Sequence, residues 1–338
     1  MSTGGGPIFI VGSNGSGSTL LRLMLDSHPH IAIPEETGFL RLAALHRWVP
    51  YWKLGGDWYR KIGLSESQLD AELAKFYGGL FASYAGSRGK QRWGDKTPFH
   101  VWHLDLATRL FPEAVVVGIV RHPAAVVNSV RRRFRRPLGG SLKHWRRSTR
   151  QLVHAGARLG DRFMLVRYED LVTQPEPTMR ALLTAIGEPW SDDVLAHHEV
   201  QPRSESTGFT RTDRAVDTRS LAEWEGELRP AELDRVVART GELATFLGYD
   251  PRRATPAERL GDPLLTGVAL AARMRGSKID WTPPRARAED RMLRPPAPRR
   301  RARHPNLSRI THRDLLRHRF ASRVTPERRR TLRRFGKR

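Results

Sequence analysis

The run Gly12-Ser-Asn-Gly-Ser-Gly-Ser-Thr19 constrains this chain more than any other, because it joins two segments of opposite character. Before it stands Pro7-Ile-Phe-Ile-Val-Gly12, a continuous apolar run of the kind found in a strand buried on both faces. After it, residues 18–27 have the spacing of a helix that stops before His28-Pro29. Strand, glycine turn and helix in such close succession form the opening unit of an α/β nucleotide-binding fold. The physics is that of an anion site. Glycines let backbone N–H groups approach a ligand without a Cβ in the way. The first turn of the helix offers unpaired N–H groups at its positive dipole end. Gly15, Ser16, Gly17, Ser18 and Thr19 are the candidate contacts, and three of them add hydroxyl donors.

Further along, residues 114–120 read as a second buried strand and 162–167 as a third. His122-Pro123 opens a helix that runs to Phe134. Helices are also expected over 177–186, stopped by Gly187, and over 232–247, stopped by Gly248. Residues 38–110 read as helical and carry Trp48, Tyr51, Trp52, Trp58, Tyr59, Tyr77 and Tyr84. The aromatic residues of 46–59 could line an acceptor pocket or simply pack a core. Strands alternating with helices predict an α/β, P-loop-like three-layer fold, with a central parallel sheet flanked by helices.

Charge divides the chain. It carries 59 Lys and Arg against 35 Asp and Glu, and residues 251–338 alone hold 26 against 7. The expected organisation is therefore a globular domain over 1–250 and a basic, Arg/Pro-rich, partly disordered extension over 251–338, with amphipathic pieces at 264–274 and 313–334. There is no cysteine, which excludes disulfides and thiolate metal sites. The first residues have no basic segment ahead of an apolar one, and no apolar run nears the roughly 20 residues of a membrane span. These features predict a soluble, cytoplasmic protein, peripheral to a membrane at most through its tail. The tail's charge would attract an anionic membrane surface or another polyanion. It has few aromatic residues for base stacking, so no specific nucleic acid is expected.

The spacing Gly12-x4-Gly17 matches the phosphate loop of nucleoside triphosphatases, but Ser18 stands where their lysine belongs. The strand at 114–120 ends in Arg121 rather than in an acidic ligand for Mg²⁺. Both features argue against a small-molecule kinase or other triphosphate-using enzyme. The site is built for an anion without a metal, which suits a phosphosulfate.

Five segments in order carry a resemblance: residues 8–25, Pro34-Glu-Glu-Thr37, Gly94-Asp-Lys-Thr-Pro98, the stretch from Val120-Arg-His-Pro-Ala to Ser129, and Val166-Arg-Tyr-Glu-Asp-Leu-Val172. Over roughly residues 7–250 the chain resembles sulfotransferases that use 3′-phosphoadenosine 5′-phosphosulfate (PAPS), and among them the tyrosylprotein sulfotransferases and their bacterial relatives. The resemblance implies transfer of the PAPS sulfuryl group to an acceptor hydroxyl by in-line displacement, with PAPS as co-substrate and no metal. It implies that the glycine loop holds the 5′-phosphosulfate, and that Arg121, Ser129 and Arg133 hold the 3′-phosphate. Glu36 matches the family's catalytic base, although sequence alone does not separate it from Glu35. Lys96 matches the lysine that stabilises charge on the bridging oxygen, with Asp95 either orienting it or capping the next segment. Tyr168 lies where an aromatic packs on the nucleotide, or is a core tyrosine. Arg211 and Arg214 fall in a covering loop, with Arg203 and Arg219 nearby. The acceptor stays open among small molecule, glycan, lipid and peptide.

One departure matters: the family's loop carries Arg or Lys where this chain has Gly15. Three alternatives follow: Lys96, Arg22 or an arginine from 203–219 fills that space, turnover is slow, or the chain is a nucleotide or polyanion binder that does not turn over.

Overall fold

The computed structural model describes residues 5–47, 58–200, 216–254, 264–279 and 281. The chain divides into two units, Met1–Leu293 and Arg294–Arg338, and every described residue belongs to the first. In chain order the elements are β1 (Ile8–Gly12), α1 (Ser18–Ser27), β2 (Ile31–Ala32), α2 (Phe39–Leu45), α3 (Trp58–Lys61), α4 (Glu66–Ser87), β3 (Arg92–Lys96), α5 (Leu104–Leu110), β4 (Val115–Val120), α6 (Pro123–Phe134), α7 (Leu138–Leu159), β5 (Phe163–Arg167), α8 (Tyr168–Thr173) and α9 (Pro175–Ile186). There follow α10 (His197–Val200), α11 (Glu223–Glu227), α12 (Pro230–Phe246), β6 (Leu264–Thr266) and α13 (Gly267–Arg275). A 3₁₀ turn over Pro98–Trp102 joins β3 to α5.

The sheet order is β2-β3-β1-β4-β5-β6, parallel except for β6, which runs antiparallel to β5. Alternation along each central strand builds two cores. Phe9 and Val11 of β1, Val116 and Val120 of β4, and Phe163 and Leu165 of β5 face one side, against α4, α5 and α7. Ile8 and Ile10, Val117 and Ile119, and Met164 and Val166 face the other, against α1 and α9. Helices on both faces of a mostly parallel sheet make the expected three-layer architecture. Strands leave β1 in opposite directions, β2 and β3 on one side and β4 on the other. A crevice therefore opens at its C-terminal end, where α/β sheets bind ligands.

Three strands were not visible in the sequence. β3 interrupts the stretch expected to be helical over 38–110. Its sequence Arg-Trp-Gly-Asp-Lys has no apolar run because its polar residues are buried in specific partnerships. Arg92, for instance, donates from Nε to Gly6 O at 2.7 Å and from Nη1 to Ile186 O at 2.7 Å, and pairs with Glu188 at 3.0 Å. β2 is only two residues long. β6 occupies the first residues of the piece expected to be helical over 264–274, and α13 the rest.

β6 and α13 lie beyond residue 250, yet they complete the sheet and pack on α7, with Leu270 fully buried. The amphipathic stretch at 313–334 and most of the basic extension lie outside the described residues. We expect a chain ending at residue 250 to melt about 10 °C or more below the full chain and to aggregate through the bared β5 edge. A chain ending at Leu293 should melt like the full chain in the same calorimetric scan.

Candidate active site

Sheet register brings the site together. β1 pairs with β3 through Ile10↔Lys96 and with β4 through Gly12↔Ile119. The glycine turn, Lys96, Arg121 and Tyr168 therefore sit at adjacent strand ends. Gly15 and Gly17 adopt φ values of 85° and 95°, in the left-handed region. A Cβ at Gly17 would overlap the Tyr168 ring, and one at Gly15 would lie 3.1 Å from Ser129 Oγ. α1 begins at Ser18 with no side-chain cap, so its first-turn N–H groups are left for a ligand. Ser16 Oγ is fully buried and hydrogen-bonds no protein atom. An uncapped helix end, an orphaned buried hydroxyl and a glycine cradle together fit an anionic group such as a phosphosulfate.

The loop is braced from both sides. Arg121 lies 4.3 Å over the Tyr168 ring, donates from Nη2 to Ser220 O at 2.6 Å and from Nη1 to Gly15 O at 3.4 Å, and leaves a buried Nε unpartnered. Tyr168 hydrogen-bonds Ser220 Oγ at 2.6 Å and packs within the α1/α9 core. On the opposite flank, Asn14 N donates to His144 Nε2 at 3.3 Å. Burial, reinforced by Arg136, pushes the His144 pKa down to about 4, so the imidazole is neutral at pH 7 and able to accept. Sequence reasoning missed His144 and Ser220, since neither lies in a motif.

Glu36 and Lys96 meet across the cavity mouth. Lys96 Nζ donates to Glu36 Oε1 at 2.7 Å and lies 3.4 Å from Thr19 Oγ1. Lys96 is 3% exposed and Glu36 45%. Burial lowers the Lys96 pKa and the Glu36 carboxylate opposes that. Asp95, fully buried, turns away from Lys96. It accepts from Thr37 Oγ1 at 2.6 Å and lies 2.9 Å from His100 Nδ1. His100 Nε2 accepts from Leu40 N at 3.3 Å, which leaves the proton on Nδ1, facing Asp95. Gly38 N donates to Thr97 Oγ1 at 3.2 Å. Three ties thus clamp residues 37–40 to the end of β3 and aim Glu36. Both Glu35 and Glu36 line the cavity, and Glu36 is the one that pairs with Lys96.

A cavity of about 420 Å³ opens here, lined among others by Gly15, Ser18, Thr19, Arg22, Glu35, Glu36, Lys96, Phe99, Arg133 and Phe134. Among the described residues its wall carries three cations, Arg22, Lys96 and Arg133. Arg133 lines the cavity with Glu36 and Lys96, while Arg121, Ser129 and Tyr168 pack around the glycines of the loop. Arg219 is exposed and ion-paired with Asp217. Arg203, Arg211 and Arg214 lie outside the described residues, as do Trp48, Tyr51 and Trp52. Trp58 and Tyr59 pack on the α4/α5 core rather than on the cavity. His28, His30 and Glu188 cluster with metal-ligating chemistry, but His28 Nδ1 accepts from His30 N and its Nε2 donates to Pro189 O. That leaves His28 no free lone pair.

Comparison with known proteins gives a consistent picture. A model of the sulfotransferase family matches residues 7–192. Protein-tyrosine sulfotransferase 1 of Homo sapiens is 30% identical over 275 residues, covering 76% of this chain and 73% of that one. The Danio rerio protein of the same name is 28% identical over 276 residues, covering 76% of each. The sulfotransferase domain of the Synechococcus PCC 7002 olefin synthase superposes with a TM-score of 0.55 at 26% identity, covering 74% of this chain and 97% of that domain.

The buried ammonium has a measurable signature. The folded-state pKa of Lys96 is depressed, so between its folded and unfolded values the unfolded chain binds more protons and stability rises with pH. Glu36→Gln removes the group that opposes the depression and widens that window. We expect Glu36→Gln to lower the melting temperature at pH 7 by about 2–4 °C, a modest figure because Glu36 is half exposed. Part of the loss should return by pH 10, and Lys96→Met should abolish the pH-dependent part in melting curves of the double variant.

Proposed function

From the premise that this chain belongs to the sulfotransferase family and is a sulfuryl-transferring enzyme, we propose that its donor is PAPS and that Glu36 and Lys96 carry the chemistry. The observation that carries this reading is the meeting of Glu36 and Lys96 at 2.7 Å beside Thr19 of an uncapped glycine loop. Bound PAPS would supply an activated sulfuryl group and a bisphosphate leaving group. In the proposed reaction an acceptor oxygen forms a new O–S bond while the S–O bond to the bridging phosphate oxygen breaks. Glu36 accepts the acceptor's proton, its carboxylate facing the cavity from a clamped segment. Lys96 and the loop N–H groups meet the charge that grows on the bridging oxygen, so the reading needs no metal ion. Ser16 Oγ and the first turn of α1 hold the sulfated phosphate.

Arg121, Ser129 and Tyr168 form the nucleotide side in this reading. The unpartnered Arg121 Nε and the half-buried Ser129 hydroxyl support a 3′-phosphate contact there. Gly15 does not remove positive charge from the cavity, because Arg22, Lys96 and Arg133 line the same wall. The protein-tyrosine sulfotransferases it resembles support an acceptor presented as a peptide or a small molecule.

Calorimetric titration of the full chain tests the donor. Adenosine 3′,5′-bisphosphate (PAP) should bind at least about 100-fold more tightly than 5′-AMP, and Arg121→Ala should erase most of that difference. Equal affinity for the two nucleotides would refute the assignment. Glu36→Gln should keep PAP affinity and lose about 10²–10⁴ in turnover. Full activity in that variant would remove Glu36 as the base.

A further inference from the structure

Two neighbouring residues of α7 reach the two segments on which the proposed donor site depends. His144 Nε2 accepts from Asn14 N at 3.3 Å. Trp145, fully buried, donates from Nε1 to Arg121 O at 3.1 Å. One edge of a helix thus sets the glycine loop and the end of β4 against each other. The loop needs such a tie, because it has no regular structure between β1 and α1. Gly15 and Gly17 also lose more backbone freedom on ordering than any other residue type would. The Ser13–Asn14 peptide is planar, with its C=O and N–H on opposite sides. Ser16 N donates to the carbonyl, Ser13 O, at 3.2 Å, and His144 takes the N–H. This one peptide plane is therefore held from both sides. The turn it opens carries Gly15 and ends at Ser16, whose buried Oγ has no partner in the protein. Asn14 itself lines the cavity beside Gly15. Burial and the charge of Arg136 both keep the His144 ring unprotonated at pH 7, so the Nε2 lone pair stays available. The Phe99 ring flanks the imidazole at 6.1 Å.

Resting on the reading above, we propose that His144 is a positioning residue for the donor: by holding Asn14 N it sets the loop for the 5′-phosphosulfate, and it has no part in holding the 3′-phosphate. Without the imidazole, the Ser13–Asn14 plane keeps only its bond to Ser16 N and is free to swing. The Ser16 hydroxyl and the backbone of Gly15 swing with it, and these are the groups that meet the 5′ end. The 3′ end is left to Arg121, which keeps its ties to Ser220 O, the Tyr168 ring and Trp145 Nε1 when His144 is replaced. The loop position at Gly15 has no side chain of its own to anchor the turn. An acceptor from α7 supplies that anchor through the backbone instead.

The test uses the full chain with two substitutions. His144→Leu removes the acceptor. His144→Gln keeps one, since Gln Oε1 lies as many bonds from the backbone as His Nε2. Hydrogen exchange of the Asn14 amide, followed by NMR without nucleotide, reads the tie itself. Exchange should be about 3–10-fold faster in His144→Leu than in the parent chain and near the parent rate in His144→Gln. Calorimetric titration with PAP and with adenosine 3′-monophosphate, which has no 5′-phosphate, reads the consequence. His144→Leu should weaken PAP about 3–10-fold and leave the 3′-monophosphate within about twofold. His144→Gln should recover most of the PAP affinity. An unchanged Asn14 exchange rate in His144→Leu would overturn the tie, and unchanged PAP affinity would overturn its role. Equal losses for the two nucleotides would mean general damage to the site and overturn the assignment to the 5′ end. A parent chain that fails to bind PAP would sink the donor reading and this role with it, whereas intact PAP binding with equal losses sinks this role alone.

Discussion

A buried ammonium needs a counter-charge, and at the end of β3 that need organises the site. Lys96 is almost wholly removed from water, at a desolvation cost that only a close carboxylate offsets. Glu36 provides it from a segment with no regular structure of its own. That segment holds its place because Thr37, Gly38 and Leu40 are each tied to Asp95, Thr97 and His100 on the following strand end and turn. The register Ile10↔Lys96 then puts the pair beside the glycine loop. Sheet pairing, loop position and the orientation of a surface carboxylate are thus links of one chain. Removing the buried Asp95 would leave the Thr37 hydroxyl without its acceptor and the His100 ring without the carboxylate 2.9 Å away.

The loop's glycines have a similar physical logic. At Gly15 the backbone is left-handed and a Cβ would press on Ser129, so this turn is shaped for the absence of a side chain. A side chain at that position would strain the left-handed backbone and crowd the Ser129 hydroxyl. Arg22, Lys96 and Arg133 reach the same cavity from α1, β3 and α6. Arg121 does a different task. Its guanidinium spans the loop carbonyl of Gly15 and the carbonyl of Ser220 while stacking on Tyr168, so it stiffens the loop as well as charging it.

Much of this was legible in the sequence, and the reason differs from element to element. β1, β4 and β5 are buried on both faces and therefore announce themselves as apolar runs. The loop and α1 follow from glycine spacing and an amphipathic helix. β3 was hidden because its residues are chosen for partnerships: Arg92 with Glu188, Asp95 with Thr37 and His100, Lys96 with Glu36. β6 was hidden because three residues carry no period. The domain limit expected at residue 250 followed a change in charge, but charge reports surface, and Leu270 shows that the next helix still has a buried face. His144, Ser220, Phe99 and Phe134 could not be found from motifs, since only the fold brings them to the loop and the cavity.

The glycine loop divides the site by chemistry. Ser129, Arg121, Tyr168 and Ser220 pack around the loop at Gly15 and Gly17. Thr19, Lys96 and Glu36 line a cavity whose wall also carries Arg22, Arg133, Phe99 and Phe134. A group held by Ser16 and the first turn of α1 lies on the boundary, facing fixed donors behind and a carboxylate ahead. An ordinary parallel sheet accomplishes this by ending neighbouring strands on either side of one glycine turn.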